Sequence, residues 1–338
     1  MWQSPAAARV GPGVQGAAPH GARCGGESYY GGAAVLQIDF INVGSGDAAL
    51  LRVNDYAALV DCGNVSLGEC RPGSKRIMAA DFLRREGVEK LDLVVLTHLH
   101  RDHIGGFSAV LSAAHACEVW TNYLPAPGLW ECEAAIPEEF PKKARGLGKS
   151  LGVYLPALRR AQARGTVLRE ITRPVTVPLT DGLSVEVGCL GPEVYERQRQ
   201  ALDNALRGAP DPDALQAAGA ALNEASLRLL LHYQGQTVLL AGDAYGSCWE
   251  GQAAHCTVFK VPHHASPQSM GRALAQALSP ETAVISCGAY RDDGRPDPQV
   301  VAWLREASGE VLCTDACQVP GLSGENRRAV TVLLGADN

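Results

Sequence analysis

From residue 34 onward the chain alternates short apolar runs with breaks rich in Gly, Pro and Asp, a rhythm that belongs to strands with helices between them. "AVLQIDFINV", "AALLRV" and "YAALVDCG" predict three strands, the first two parted by the Gly-rich turn "GSGD". "AADFLRREG" predicts a helix closed by Gly87, and "LDLVVLT" reads as a buried strand. "HIGGFSAVLSAAH" can begin a helix, with His115 at its far end. Residues 121–173 are ambiguous: Pro125, Pro127, Pro137 and Pro141 crowd the first part, which predicts a loop followed by a helix. "VTVPLTDGLSVEVGCLGP" returns to strands about an Asp-Gly turn at 181–182, and "VYERQRQALDNALRGA" is helical. "SLRLLLHYQGQTVLLAGD" predicts a hairpin turning near Gly235, followed by strands "CTVFKVPHH", "ETAVISCG", "VLCT" and "RAVTVLLG", with helices "GRALAQAL" and "PQVVAWLREAS" among them. Strands with interspersed helices, but no regular βαβ count, predict two sheets covered by helices.

Polar chemistry concentrates where apolar strands stop. "THLHRDHIGG", residues 97–106, follows "LDLVVL" and puts three of the nine histidines and an aspartate within six positions. His98 and His100 lie two apart and point the same way on an extended segment, while Asp102 and His103 fall where a helix begins. One segment thereby offers two ligand pairs. Asp61 follows "YAALV", Asp243 follows "TVLLAG", and His263-His264 follow "CTVFKVP". If these strand ends share one rim, His98, His100, Asp102, His103, Asp243 and one of His263 and His264 form a nitrogen and oxygen set suited to two divalent ions, with Asp243 as the candidate bridge. Two such ions can share and activate one water.

These residues carry a resemblance. "THLHRDH" is similar to the H-x-H-x-D-H signature of the metallo-β-lactamase fold. "FINVGSGDAALL", "LVDCG", "LLAGDA" and "FKVPHHAS" resemble, in order, the further motifs of the metallo-hydrolase domain of ComEC-type competence proteins and their free-standing relatives. The match runs in outline over residues 34–290. It implies an α/β fold, the αββα sandwich of two mixed sheets flanked by helices, and a metal-dependent hydrolase acting on phosphodiesters. It further implies that Asn223, from the "NEAS" element, gives the ion at His98, His100 and Asp243 weaker support, a place water could also fill. Of the 263–264 pair, His264 is preferred as ligand, leaving His263 to face the substrate as hydrogen-bond donor or general acid. Asp102 would orient the attacking water besides binding metal. Lys260 and Ser266 flank this loop and are candidate phosphate contacts, with Asn223 also near the substrate. Two departures stand out. Ala265 replaces a family glycine, and the extra metal-binding histidine of many relatives has only His115 and His232 as candidates, neither well placed.

His100 stands where flavo-diiron oxidoreductases of this fold have glutamate, which favours zinc, with manganese second, over di-iron redox chemistry. The other readings are a lactamase or thioesterase, and a non-catalytic metal-supported module. Net charge is −6, so nothing attracts nucleic acid globally. Yet from Lys142 to Arg173 nine basic residues face one acid, Glu170, which makes single-stranded DNA one candidate substrate if that run lines the site. Eleven cysteines without regular close spacing point to free thiols and a cytoplasmic protein. No apolar run reaches the roughly 18–20 residues of a membrane span. Residues 1–33 read as a Gly/Ala/Pro-rich leader without a secretory core, secretion staying open because the start site is uncertain. Residues 34–338 read as one domain with a basic insertion at about 121–173. Oligomeric state is not legible.

Overall fold

The computed structural model describes residues 34–68, 72–288, 294–320, 322–323 and 325–335; the expected leader lies outside the described residues. In chain order, β1 (Leu36–Ile41), β2 (Ala49–Val53), β3 (Tyr56–Val60), α1 (Ala79–Arg85), β4 (Lys90–Leu96), α2 (Arg101–Ile104), α3 (Phe107–Ala113), β5 (His115–Thr121), α4 (Lys142–Ala163) and β6 (Val167–Glu170) make the first half. The second comprises β7 (Val175–Thr180), β8 (Leu183–Gly188), α5 (Pro192–Leu206), α6 (Pro212–Ala220), β9 (Arg228–Tyr233), β10 (Gln236–Leu240), β11 (Val258–Lys260), α7 (Arg272–Leu278), β12 (Thr282–Ile285), α8 (Pro298–Ala307) and β13 (Glu310–Cys313). It closes with β14 (Gln318–Val319), β15 (Leu322–Ser323) and β16 (Ala329–Leu334).

Two mixed seven-stranded sheets result, ordered β16-β1-β2-β3-β4-β5-β6 and β13-β12-β11-β10-β9-β8-β7. Their alternating side chains sort into three apolar layers. Leu93 and Val95 of β4 meet Leu229, Leu231 and Val258 between the sheets, whereas Leu91 and Val94 face α1, α3 and α4. Phe259 of β11 points the other way, onto α7 and α8. Strand β4 is apolar without alternation because both its faces are covered. Each such buried Leu or Val side chain contributes about 1.5–3 kcal/mol. The order is helices, sheet, sheet, helices, the predicted sandwich. Among the described residues no helix is long and apolar enough to cross a membrane.

Several local expectations change. His115 opens β5, paired with Lys90 of β4, instead of ending a helix. The Gly-Gly pair at 105–106 interrupts the helix after "RDHI", so α2 and α3 are separate. The helix α6 and the strand β6, which lies inside the basic region, escaped the periodicity because both are short.

Candidate metal centre

Parallel pairing aligns the strand ends that matter. β3 runs parallel to β4 (Val60 opposite Val95), β10 to β11 (Leu240 opposite Lys260) and β11 to β12. Their carboxyl ends therefore deliver Asp61, His98, Asp243 and the 263–264 pair to one rim, where open α/β sheets place ligands. The turn after β3 anchors the first histidines. Asp61, at φ 59°, accepts the Thr97 N–H (2.9 Å) and Oγ1–H (2.8 Å) and bonds His103 Nδ1 at 2.7 Å. Helix α2 is pressed onto this turn: Cys62 N–H donates to the His103 carbonyl at 2.7 Å. A Cβ on Gly106 would lie 2.0 Å from the Cys62 carbonyl oxygen, so only glycine fits there.

The six residues singled out as ligands come together as two groups that share one carboxylate. His98, His100 and Asp243 form one group, and Asp102, His103, Asp243 and His264 the other, with donor atoms in each within 4.8 Å of one another. Asp243 Oδ2 lies 3.8 Å from His98 Nε2, 3.2 Å from His103 Nε2 and 3.9 Å from His264 Nε2. Its backbone is held by the Ser226 hydroxyl (3.2 Å), while Oδ1 accepts the His263 N–H at 3.0 Å. His264 turns Nδ1 to the Ser286 carbonyl (2.9 Å), which leaves Nε2 facing Asp102 Oδ2 at 3.3 Å. That is the second-layer bond that fixes the tautomer of a metal-binding imidazole. His263, His264 and Ala265 have φ of 48°, 54° and 57°, a run of left-handed backbone that turns successive imidazoles apart. Ala265 thus occupies the region that explains a glycine at this place in relatives.

Burial dominates the electrostatics of the first pair. It pushes His98 well below the ordinary histidine range, helped by His103 and His100, and lowers His100 too. Burial also opposes charge on His103 and His264, but it is overridden, for His103 by Asp243 and Asp61 and for His264 by Asp243 and Asp102, so both are raised. Burial would raise Asp102 and Asp243; the neighbouring imidazoles prevail and hold both carboxyls below the usual range. The residues fit divalent ions. His103 Nε2 is buried without a hydrogen-bond partner, and imidazole nitrogens with ionised carboxylates are the donors such ions take.

The residues expected around the substrate divide. His263 lies outside both groups. Its Nδ1 meets Ser266 Oγ at 2.7 Å and its Nε2 meets Asn223 Nδ2 at 3.3 Å, and burial lowers its pKa to about 4. Asn223 also donates to the Tyr245 hydroxyl at 3.0 Å. Ser266 is buried beneath His263, which it orients. Lys260 departs from the expectation of a phosphate contact: β11 is an interior strand, and the ammonium is buried and paired with Asp47. Asp47, from "GSGD", escaped the sequence reading as a site residue. Its Oδ1 stands 3.6 Å from His264 Nδ1, and its N–H donates to the Asp102 carbonyl at 3.1 Å. Its sequence signals were its place in that turn and in the motif "FINVGSGDAALL". Neither spare histidine joins the centre: His232 bonds Glu186 at 2.9 Å.

The basic run is not one surface. Lys143, at the start of α4, is exposed and near enough to His100 to press against its charged form. Arg159, Arg160 and Arg164, roughly 24–32 Å along the helix at 1.5 Å per residue, are engaged elsewhere. Arg159 donates to the Trp130 carbonyl at 2.8 Å, Arg160 to Ser112 Oγ at 2.8 Å, and Arg164 to the Leu111 carbonyl. Those three tie the helix to α3 and to the loop at Trp130.

A sandwich of two mixed sheets between helices, with a shared-carboxylate His/Asp cluster on its strand-end rim, defines a class of metal-dependent hydrolases. The chain belongs to the metallo-β-lactamase superfamily, whose family model matches residues 41–289. It is 26% identical over 302 residues to ComE operon protein 3 of Bacillus subtilis (strain 168), a match covering 82% of this chain and 32% of that protein. The chain thus spans about a third of that relative's length. Among solved structures it is similar to the metallo-beta-lactamase fold protein YhfI from Bacillus subtilis (10% identity, TM-score 0.47, covering 89% of this chain and 99% of that one). It is likewise similar to human tRNase Z, short form (12% identity, TM-score 0.43, covering 89% and 100%).

Proposed function

We propose that this chain is a phosphodiesterase working through a pair of divalent ions, zinc first and manganese second, with single-stranded DNA as one candidate substrate. The observation that supports it most is the sharing of Asp243 between a group of two neutral imidazoles and a group of mixed imidazole and carboxylate donors. When bound, two ions at such sites supply Lewis acidity, lowering the pKa of water toward neutrality and neutralising charge that develops on phosphorus oxygens.

The chain's own residues do the rest. His98 and His100 would hold one ion, Asp102, His103 and His264 the other, with Asp243 belonging to both groups. Asp61 fixes the ring of His103, and the Ser286 carbonyl fixes that of His264. Asp102, the least buried carboxylate of the cluster, would orient the attacking water besides helping to hold an ion. His263 is neutral at neutral pH with a pKa of about 4, so it meets the substrate as a hydrogen-bonding group, set by Ser266 and Asn223, and not as a charged acid. Lys143 brings positive charge to the His100 side, where an anionic substrate would approach.

The test is a metal-supplemented screen of bis(p-nitrophenyl) phosphate, single-stranded DNA and a chromogenic lactam side by side. Turnover of the phosphodiesters that chelation abolishes and zinc or manganese restores is expected. Turnover of the lactam alone would replace this reading with a lactamase.

A further inference from the structure

Arg228 opens β9 at the strand end near the metal centre but on the outward face of the second sheet, and is only 4% exposed. A buried guanidinium ordinarily has a carboxylate beside it, because removing a charge from water is repaid only by a partner. Among the described residues Arg228 has none. Its Nη1 is buried without a hydrogen-bond partner, and Nη2 makes one long bond, to the Cys189 carbonyl at 3.4 Å. The titratable groups that act on it are Tyr195, Cys189 and Cys248, and burial raises the pKa of each, so all three are neutral at neutral pH. The nearby acid, Glu186, is turned to His232 at 2.9 Å.

This cation forms part of the wall of a partly open cavity of about 50 Å³, lined mainly by Leu230, Leu239, Trp249 and Leu278, with Gln252 and His255 at its polar side. A water needs roughly 10–15 Å³ of such space, so the cavity suits a ligand of about four non-hydrogen atoms. The missing partner of Arg228 is an anion, the apolar walls call for carbon beside the charge, and Glu186 on the same wall opposes a dianion. We infer that this cavity is a binding site for a small monocarboxylate of the acetate or propionate class, with Arg228 as its ion-pair partner.

The experiment follows thermal unfolding of the full chain in sodium acetate or propionate against sodium chloride and inorganic phosphate at matched ionic strength, with saturation-transfer NMR of propionate reading binding directly. A saturable rise in Tm with either carboxylate, and none with phosphate, is expected. Arg228→Met should weaken carboxylate binding at least tenfold and Arg228→Lys less, while Asp243→Ala keeps the response, which separates this cavity from carboxylate captured at the metal centre. An equal response in Arg228→Met, its loss in Asp243→Ala, an equal response to phosphate, or no propionate signal from the folded wild type would overturn the site. If Arg228→Met does not fold, the comparison of wild type with Arg228→Lys in the NMR measurement decides.

Discussion

At the scale of single residues, Asp243 is the point on which the metal centre turns. One of its oxygens faces three imidazoles and the other accepts the His263 backbone N–H, so the carboxylate is gripped from both sides. Asp243→Ala is expected to lower occupancy at both proposed ion positions together, whereas His100→Ala should empty one. Elemental analysis after dialysis against limiting zinc checks this, and full occupancy in Asp243→Ala would remove the shared-carboxylate assignment. The same variant leaves His103 Nε2 without its nearest carboxylate in a site of zero exposure. Asp61 shows how little a residue's identity alone says. It is a strand-end aspartate like Asp243, but three short bonds to Thr97 and His103 make it an orienting group.

At the scale of elements, the centre depends on how closely α2 sits against the turn after β3. Gly106→Ala would force Cβ into the Cys62 carbonyl, and backbone on both sides must shift. A loss of about 2–4 kcal/mol is expected, in the range of overpacked and strained sites, with weaker metal binding because His103 moves with α2. Gly146→Ala is the contrasting case. Gly146 lies inside α4 with nothing within 4 Å of a new Cβ, so the change should stabilise by about 0.5–1 kcal/mol through helix propensity. Urea unfolding of both variants measures the two signs. Equal and small effects would show that the contact between α2 and the turn is not tight.

At the scale of the whole molecule, the charge distribution determines which part of the basic run could meet a polyanion. Lys142 and Lys143 are exposed at the end of α4 near His100, while Arg160 and Arg164 hold α3 at the other end. Replacing both lysines with glutamine should flatten the salt dependence of single-stranded DNA binding by about 0.7 in log–log slope for each phosphate that a lysine neutralises. Replacing Arg160 and Arg164 should leave that slope alone and cost stability, about 0.5–1.5 kcal/mol per hydrogen bond removed. Fluorescence anisotropy across a salt series distinguishes the two pairs. A slope that follows the arginines would restore the run as one continuous surface.

What the sequence determined by itself is local and periodic. The strand runs, the hairpin at Gly235 and the spacing of His98, His100, Asp102 and His103 follow from side-chain period and backbone preference, which act over a few residues and so are visible in any window of the chain. The match of ordered motifs carried the sandwich and the ligand set with them. Only the tertiary structure decided which strand ends share a rim and which buried groups face each other, because pairings such as Asp47 with Lys260, across 213 positions, arise from sheet order and not from spacing. The same holds for the Ser286 carbonyl behind His264, a backbone group with no sequence signal. It holds too for Arg160 and Arg164, whose hydrogen bonds to Ser112 Oγ and the Leu111 carbonyl of α3 no spacing along the chain foretells. Charge can be counted along a chain, but whether a charge is free or already paired depends on what folding brings within about 4 Å of it.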